Sequence, residues 1–255
     1  MVKPKKHLGQ HFLTDRHTAD KICNALVNKD DWPVLEIGPG KGVLTKKLME
    51  SHNEFFAVET DEEAVDYLND LFPELDNRLI KKDLLVLDLT KIASGKLCII
   101  SNLPYNISSP VLFKVLENRN LVDEAVFMMQ REVARRIASP HGTKVYGILS
   151  VLIQAYYDVE YLFTVNEGVF FPKPKVKSGV VRLVRNAEKD QPDDYKFFKH
   201  LVKAAFNQRR KTLRNSLKSI LSTFPAQDAT WLGLRPEQCS VQDFIEIARQ
   251  VQNQK

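Results

Sequence analysis

The chain has 255 residues, 44% of them hydrophobic, enough for one sizeable α/β core and a small appendage; its three cysteines, Cys23, Cys98 and Cys239, have neither the number nor the spacing for a disulfide framework or a zinc site. No apolar run reaches the ~18 residues of a membrane span, and no signal-like apolar core follows the basic start from Met1 to His7, so the sequence predicts a soluble, unprocessed protein in a reducing cytoplasm. The net charge of +5 is uneven, with +3 on residues 1–27, −8 on 28–90 and +10 on 91–255, which predicts that a polyanion meets one face and not the whole surface.

Residues 1–21 set Lys3, Lys5, Lys6, His7, Arg16 and His17 around Leu8-Gly9-Gln10-His11-Phe12-Leu13. No helical period runs through this segment, so it reads as an ordered loop latched by Phe12 and Leu13. A helix from about Thr18 to Val27 follows, capped by Asp15 or Thr14. Val34-Leu35-Glu36-Ile37 and Gly38-Pro39-Gly40-Lys41-Gly42 then predict a strand, a glycine turn and a helix through Leu44, Leu48 and Met49. Glycines admit a ligand close to the backbone at a helix N-terminus. Val43, however, stands where the dinucleotide fingerprint requires glycine, and Glu36 would sit badly beside a pyrophosphate. An acid there suits a ligand with an amino group, such as the methionine end of S-adenosylmethionine; a generic nucleotide fold is the alternative reading of the same turn.

The strand Phe55-Phe56-Ala57-Val58 ends in Glu59, twenty-one positions beyond Gly38, where a carboxylate can take both hydroxyls of a ribose. Thr60 and Asp61 also look like helix caps. Arg78-Leu79-Ile80 makes a third strand leading to Asp83, a candidate for the adenine amine of the same cofactor. The fourth strand, Leu97-Cys98-Ile99-Ile100-Ser101, runs into Asn102-Leu103-Pro104-Tyr105. In open α/β sheets, ligands bind at the carboxyl ends of the strands. The Asn102 carboxamide oxygen and a main-chain carbonyl of the proline-stiffened turn Leu103-Pro104 can accept both N–H bonds of an adenine N6, with Tyr105 stacked on the ring. Taken alone, these four residues suit a plain strand ending in a proline turn equally well.

A helix is expected from Pro110 to Glu117, a strand from Ala125 to Met129 and a helix from Gln130 to Ile137. On that helix Arg131 and Arg135 share a face as phosphate contacts or as a solvated face. Gly147 to Tyr157 reads as a helix and Val159 to Val165 as a strand. Phe170-Phe171-Pro172-Lys173-Pro174 reads as an extended loop presenting its aromatics. Phe170, with Phe171 the less favoured choice, would cover the second face of a base held by Tyr105, and such a base must have left its stack. Val180 to Val184 supplies the last strand and Asn186 to Asp194 a linker. Helices are then expected at Tyr195–Phe206, Gln208–Leu221 and Ser240–Val251, the last with Ser240 and Asp243 as a capping pair. From Lys199 to Lys218 there are seven Lys/Arg and no acid, so Arg209, Arg210, Lys211 and Arg214 are the candidate RNA contacts. The sequence offers no metal site.

Together these motifs resemble the ribosomal RNA adenine N6,N6-dimethyltransferases. The resemblance is carried by Leu8-Gly9-Gln10-His11-Phe12-Leu13, Glu36-Ile37-Gly38-Pro39-Gly40, Asn102-Leu103-Pro104-Tyr105-Asn106-Ile107-Ser108, Phe170 with Pro172-Lys173-Pro174-Lys175-Val176, and Phe206-Asn207-Gln208-Arg209-Arg210-Lys211. It implies an α/β, class I methyltransferase sheet of seven strands with the last antiparallel, over residues 1–185, and an all-α RNA-binding domain over 186–255. It implies S-adenosyl-L-methionine as cofactor, held by His11, Leu13, Gly38, Glu59, Asp83 and Asn102, and a catalytic set of Asn102, Leu103, Pro104, Tyr105 and Phe170. The substrate would be two adjacent adenosines of 16S rRNA in the small ribosomal subunit; the oligomeric state is left open by the sequence, with a monomer as the default. His11 departs from the pattern, which usually has Asn.

Overall fold

The computed structural model describes residues 2–5, 8–27, 32–221 and 229–252; Lys6 and His7 of the expected basic arm lie outside them. The chain forms two compact units, residues 1–134 with 160–185 and residues 135–159 with 186–255. The expected boundary at 185/186 is thus one of three crossings, because residues 135–159 go with the C-terminal helices.

The first unit contains β1 (Phe12–Leu13), α1 (Arg16–Cys23), β2 (Val34–Ile37), α2 (Thr45–Ser51), β3 (Phe55–Glu59), α3 (Glu62–Leu71), β4 (Leu79–Lys81), β5 (Leu97–Asn102), α4 (Ser108–Glu117) and β6 (Val122–Gln130). α5 (Arg131–Ile137) and α6 (Ile148–Gln154) lead to β7 (Tyr157–Val165), β8 (Phe170–Phe171) and β9 (Ser178–Arg185). The main sheet has seven strands in the order β4-β3-β2-β5-β6-β9-β7. Pairings from β4 to β6 are parallel, and β9, the last strand of the chain, runs antiparallel to β6. β5 is buried at every position but Asn102. Both faces of a parallel sheet are covered, so a strand without polar alternation is the one that fits its centre. Val34, Phe55, Ala57, Cys98, Ile100, Val126 and Met128 form one core cluster with Leu44, Leu48 and Leu68 of the flanking helices. Each fully buried Leu, Val or Phe there is worth about 1.5–3 kcal/mol.

α1 begins two residues before the expected start because Asp15 is its cap, accepting from the Thr18 main-chain N–H at 2.8 Å. It ends at Cys23, where the Ala25 and Leu26 N–H groups turn back to Ile22 and Cys23 in tightened i→i−3 bonds. The latch at Phe12 and Leu13 is present, and both are buried, but it is a strand: Phe12 pairs with Phe171 and Leu13 with Phe170.

In the second unit, α7 (Tyr195–Asn207) buries Phe198, Leu201, Val202 and Ala205, the i, i+3, i+4, i+7 stripe of an amphipathic helix. α10 (Val241–Gln252) starts with the expected reciprocal cap, Ser240 N–H on Asp243 at 2.8 Å and Asp243 N–H on the Ser240 hydroxyl at 3.1 Å. Between them the single helix expected over 208–221 is instead a turn at Gln208–Lys211 followed by α8 (Leu213–Ser216) and α9 (Lys218–Leu221). Three adjacent cations gain nothing from one helical turn, and Thr212 is extended (ψ 159°) and opens α8 afresh. The segment 186–194 is tied down: Lys189 donates to the carbonyls of Gln154 (3.1 Å) and Tyr157 (2.9 Å), and Asp190 accepts from Arg249 at 2.9 Å.

Candidate active site

At the carboxyl ends of β2, β3 and β5 lies a cavity of about 310 Å³, lined by Gly38, Glu59, Asp83, Asn102, Pro104 and Tyr105 and closed on one side by Leu8 to Phe12. The arm that closes it is pinned from outside. Lys5 and Gln10 both donate to Asp61 at the start of α3, Gln10 at 3.0 Å. Burial pushes the Asp61 carboxyl up, but the bonds from Lys5 and Gln10 outweigh it and leave it lowered.

The glycine turn works through backbone shape. Gly38 has φ +63° with nothing within 4 Å of where a Cβ would stand, so it opens onto the cavity. Gly40, at φ +57°, would place a Cβ 2.9 Å from the Phe12 ring, so only glycine lets β1 approach. Glu59, 6% exposed, uses its carboxylate inside the protein. One oxygen accepts from the Thr60 (2.8 Å) and Asp61 (3.0 Å) N–H groups and the other from Gly40 N–H at 3.2 Å. Burial raises its carboxyl, and these three bonds pull against that. Asp83 is exposed at the cavity, its carboxylate accepting from Leu85 N–H at 2.9 Å. Glu36, which the sequence set beside a ligand's amine, does not line the cavity. It is 2% exposed, accepts from the Thr45 hydroxyl at 2.7 Å and is pushed by burial up to about 8. Its alternate position on β2 turns it toward the start of α2 instead of the ligand.

The turn after β5 is held at several points. Leu103 N–H donates to Met128 (2.9 Å) and Ile107 N–H to Pro104 (3.2 Å). Asn102 Nδ2 donates to the His11 carbonyl at 3.1 Å, which fixes the amide and leaves Oδ1 without a protein donor among the described residues. The Tyr105 hydroxyl lies 2.8 Å from that of Ser178, and its ring centroid 5.4 Å from that of His11. His11 and Ser178 were missed as neighbours of Tyr105; Ser178, the one hydroxyl opening an apolar strand, was the available signal.

Other expected residues lie elsewhere. Leu13 and Phe170 are opposite each other in the β1–β8 pair, buried in the core cluster, and do not line the cavity. The exposed aromatic of the proline loop is Phe171, at 58%, and Phe170 is at 5%. Arg131, half-buried, belongs to the sheet unit, whereas Arg135, Arg209, Arg210, Lys211 and Arg214 belong to the helical one. Arg209 is partly structural, donating to the Thr143 carbonyl at 3.2 Å and lying 3.7 Å from Glu237. No cluster of metal-ligating side chains occurs among the described residues, and none of their helices is long and apolar enough to cross a membrane.

A family profile described as ribosomal RNA adenine dimethylase matches residues 1–252. The chain is 52% identical over 248 residues to the ribosomal RNA small subunit methyltransferase A of Parabacteroides distasonis, covering 97% of this chain and 93% of that one. It is 50% identical over 254 residues to the protein of the same name from Bacteroides fragilis, covering 99% and 93%. Among solved structures, a dimethyladenosine transferase from Plasmodium falciparum shares the fold at TM-score 0.80, with 24% identity and coverage of 96% and 98%. The 23S rRNA methyltransferase ErmE matches at TM-score 0.69, with 25% identity and coverage of 94% and 100%.

Proposed function

The chain belongs to the ribosomal RNA adenine dimethylase family and is an S-adenosylmethionine-dependent methyltransferase, and from that premise we propose that its substrate is a pair of adjacent adenosines in the 3′-terminal hairpin of 16S rRNA. It acts late in small-subunit assembly, as a monomer in the cytoplasm. The relatives named for the small subunit, at 50–52% identity over nearly the whole chain, support that target. The observation that carries the chemistry is Asn102: an amide anchored through its nitrogen, with its oxygen free in a cavity beside a tyrosine ring.

The residues present fit the cofactor. Gly38 leaves room where a side chain would stand, Glu59 and Asp83 offer carboxylate oxygens for hydroxyls and an amine, and Leu84 and Leu85 supply apolar lining. Bound there, S-adenosylmethionine supplies a methyl group made electrophilic by its sulfonium. Asn102 Oδ1 and a main-chain carbonyl of the turn accept the two N6 hydrogens of an extruded adenine while Tyr105 stacks on its ring. With both hydrogens engaged, the N6 lone pair is drawn out of the ring and turned toward the methyl carbon. The rate comes from holding the reacting atoms about 3–3.5 Å apart and from the same oxygens stabilising the positive charge that builds on N6. The surplus proton leaves to water, so no general base is required. Arg131, Arg135, Arg210, Lys211 and Arg214, with Arg209 as a partly structural member, take RNA phosphates. Phe171, the exposed aromatic of the proline loop, is the candidate cover for the second face of the base in place of the buried Phe170.

The test is transfer of labelled methyl from S-adenosylmethionine to small ribosomal subunits that lack the modification, followed by nucleoside analysis. Dimethyladenosine at the two expected positions is the supporting result. Label on large-subunit rRNA instead would move the target toward that of the ErmE-like structure, and tight binding to the particle without transfer would make the protein an assembly factor.

A further inference from the structure

His11 stands immediately before the β1–β8 pair, and its contacts run in three directions. Its carbonyl accepts from Asn102 Nδ2 at 3.1 Å, its Nδ1 lies 2.7 Å from the Pro172 carbonyl, and its ring packs against Tyr105 at 5.4 Å with a 32° tilt. A carbonyl oxygen only accepts, so Nδ1 carries the hydrogen. In the neutral ring Nε2 is then a bare lone pair with nothing to donate. Of the cofactor contacts the resemblance implies for His11, one from the neutral side chain to a carboxylate is therefore closed, since both partners would be acceptors.

We infer that His11 is a positioning residue for the target base and not a cofactor ligand: it holds the Tyr105 ring, the Asn102 amide and the Pro172 end of the proline loop in one arrangement. This rests on the proposed reading of Asn102 and Tyr105 as the pair that grips adenine. The Tyr105 hydroxyl is held by Ser178, which with Cβ fixes the long axis of the ring and leaves it rotation about that axis. The imidazole supplies the second restraint, and the bond to Pro172 is what keeps the imidazole in place. Losing both the ring and its Nδ1–H loosens Tyr105 most, keeping the donor alone retains the tie to Pro172, and neither change alters Gly38, Glu59 or Asp83.

Side-chain geometry supplies the test. Asparagine carries its amide nitrogen one bond beyond Cγ, as histidine carries Nδ1, so His11→Asn keeps the donor to Pro172. Glutamine puts its amide one bond further out, near the reach of Nε2, and loses that donor. With the full chain, kcat on small subunits and the Kd for S-adenosylmethionine are measured separately for His11→Asn, His11→Gln and His11→Ala, together with the ¹⁵N resonances of the His11 ring and the ring resonances of Tyr105. The expected result is an Nδ1–H tautomer in the unaltered protein, with kcat lowered about 10-fold or more in the Gln and Ala variants, since misplacement of about 1 Å costs up to ~100-fold. In those variants Kd stays within about twofold, and Asn, which keeps the donor to Pro172 but lacks the ring, falls between them and the unaltered chain in kcat. Loss of cofactor affinity in all three at unchanged saturated kcat would overturn the inference, as would a Gln variant indistinguishable from the unaltered chain. If the unaltered chain transfers no methyl to any subunit, the functional reading fails by itself. His11 is then judged on Tyr105, whose ring resonances the Gln and Ala variants shift and the Asn variant shifts less if the inference holds.

Discussion

Two strand ends face the same cavity and are finished to different degrees. At the end of β3, the Glu59 carboxylate already accepts three main-chain N–H groups. A carboxylate has about four lone-pair sites, so about one is left and a second ribose hydroxyl must share. At the end of β5, Asn102 is tied by its nitrogen, and its oxygen has no protein donor among the described residues. The first end keeps its shape without a ligand; the second is completed only by what the substrate brings. Preorganisation is thus concentrated on the side we assign to the cofactor, and specificity on the side we assign to the base.

The comparison breaks most visibly at Asn102. Asn102→Ala lowers kcat by about 10³-fold, the scale of losing one aligned group that stabilises developing charge, and leaves the cofactor Kd within about threefold. Single-turnover transfer and calorimetry decide it, and a parallel loss of cofactor binding would show that the two ends are not separate. Glu36, one strand away, shows what full enclosure does to an acid. Its carboxyl is raised by burial from 4.5 to about 8, so its contribution to stability is fully present below the unfolded value and is lost as pH rises through the folded one. At 1.36 kcal/mol per unit, the unaltered chain should lose a few kcal/mol between pH 5 and 8.5 that Glu36→Gln does not. Urea melts at the two pH values check this; equal slopes in both proteins would refute it.

Glu59→Gln sharpens the contrast from the other side. A charged acceptor in a hydrogen bond is worth about 1.5–3 kcal/mol, which predicts a 10- to 100-fold weaker cofactor Kd with kcat at saturation little changed. Glu59→Ala strands the N–H groups of Gly40, Thr60 and Asp61, whereas Gln strands only those that meet its amide nitrogen, so Ala should melt several degrees lower and Gln by less; an unchanged melting temperature in Ala would mean that the carboxylate does not hold the loop. The smallest effect belongs to Tyr105→Phe. It removes the bond to Ser178 and keeps the ring, and a neutral hydrogen bond is worth about 1 kcal/mol, so kcat should fall no more than about fivefold in the same transfer assay.

Much of this was legible because strand ends in a parallel sheet leave a clear mark. Apolar runs such as Leu97 to Ser101 stop at a polar residue, and Glu59, Asp83 and Asn102 could be placed at the cavity from that pattern alone. What could not be read depends on contacts distant in sequence. β1 and β8 are two residues each, too short to carry a period, so although Leu13 could be read as part of a latch, nothing in the sequence announced that Phe170 is its partner and buried. Glu36 was misplaced because a strand's alternation, not proximity to the glycine turn, decides which way a side chain faces. The basic segment Arg209 to Lys211 carried the right charge for RNA, but its density of cations hid a turn inside an apparently helical stretch. The grouping of α6 with α7 and α10 was equally silent, since any of the three could have covered the sheet.

That grouping constrains how the protein can change over generations. The helical unit is assembled from residues 135–159 and 186–255, with β7, β8 and β9 encoded largely between them. A recombination event at one join cannot transplant it whole. A chimera that received residues 186–255 from a distant relative would gain α7 and α10 while keeping the host's α6, and Leu149, Leu152 and Ile153, buried on that helix, would face unfamiliar partners. Variation in the helices we assign to the RNA must therefore accumulate by matched point substitutions, in step with a segment that precedes the last strands of the sheet.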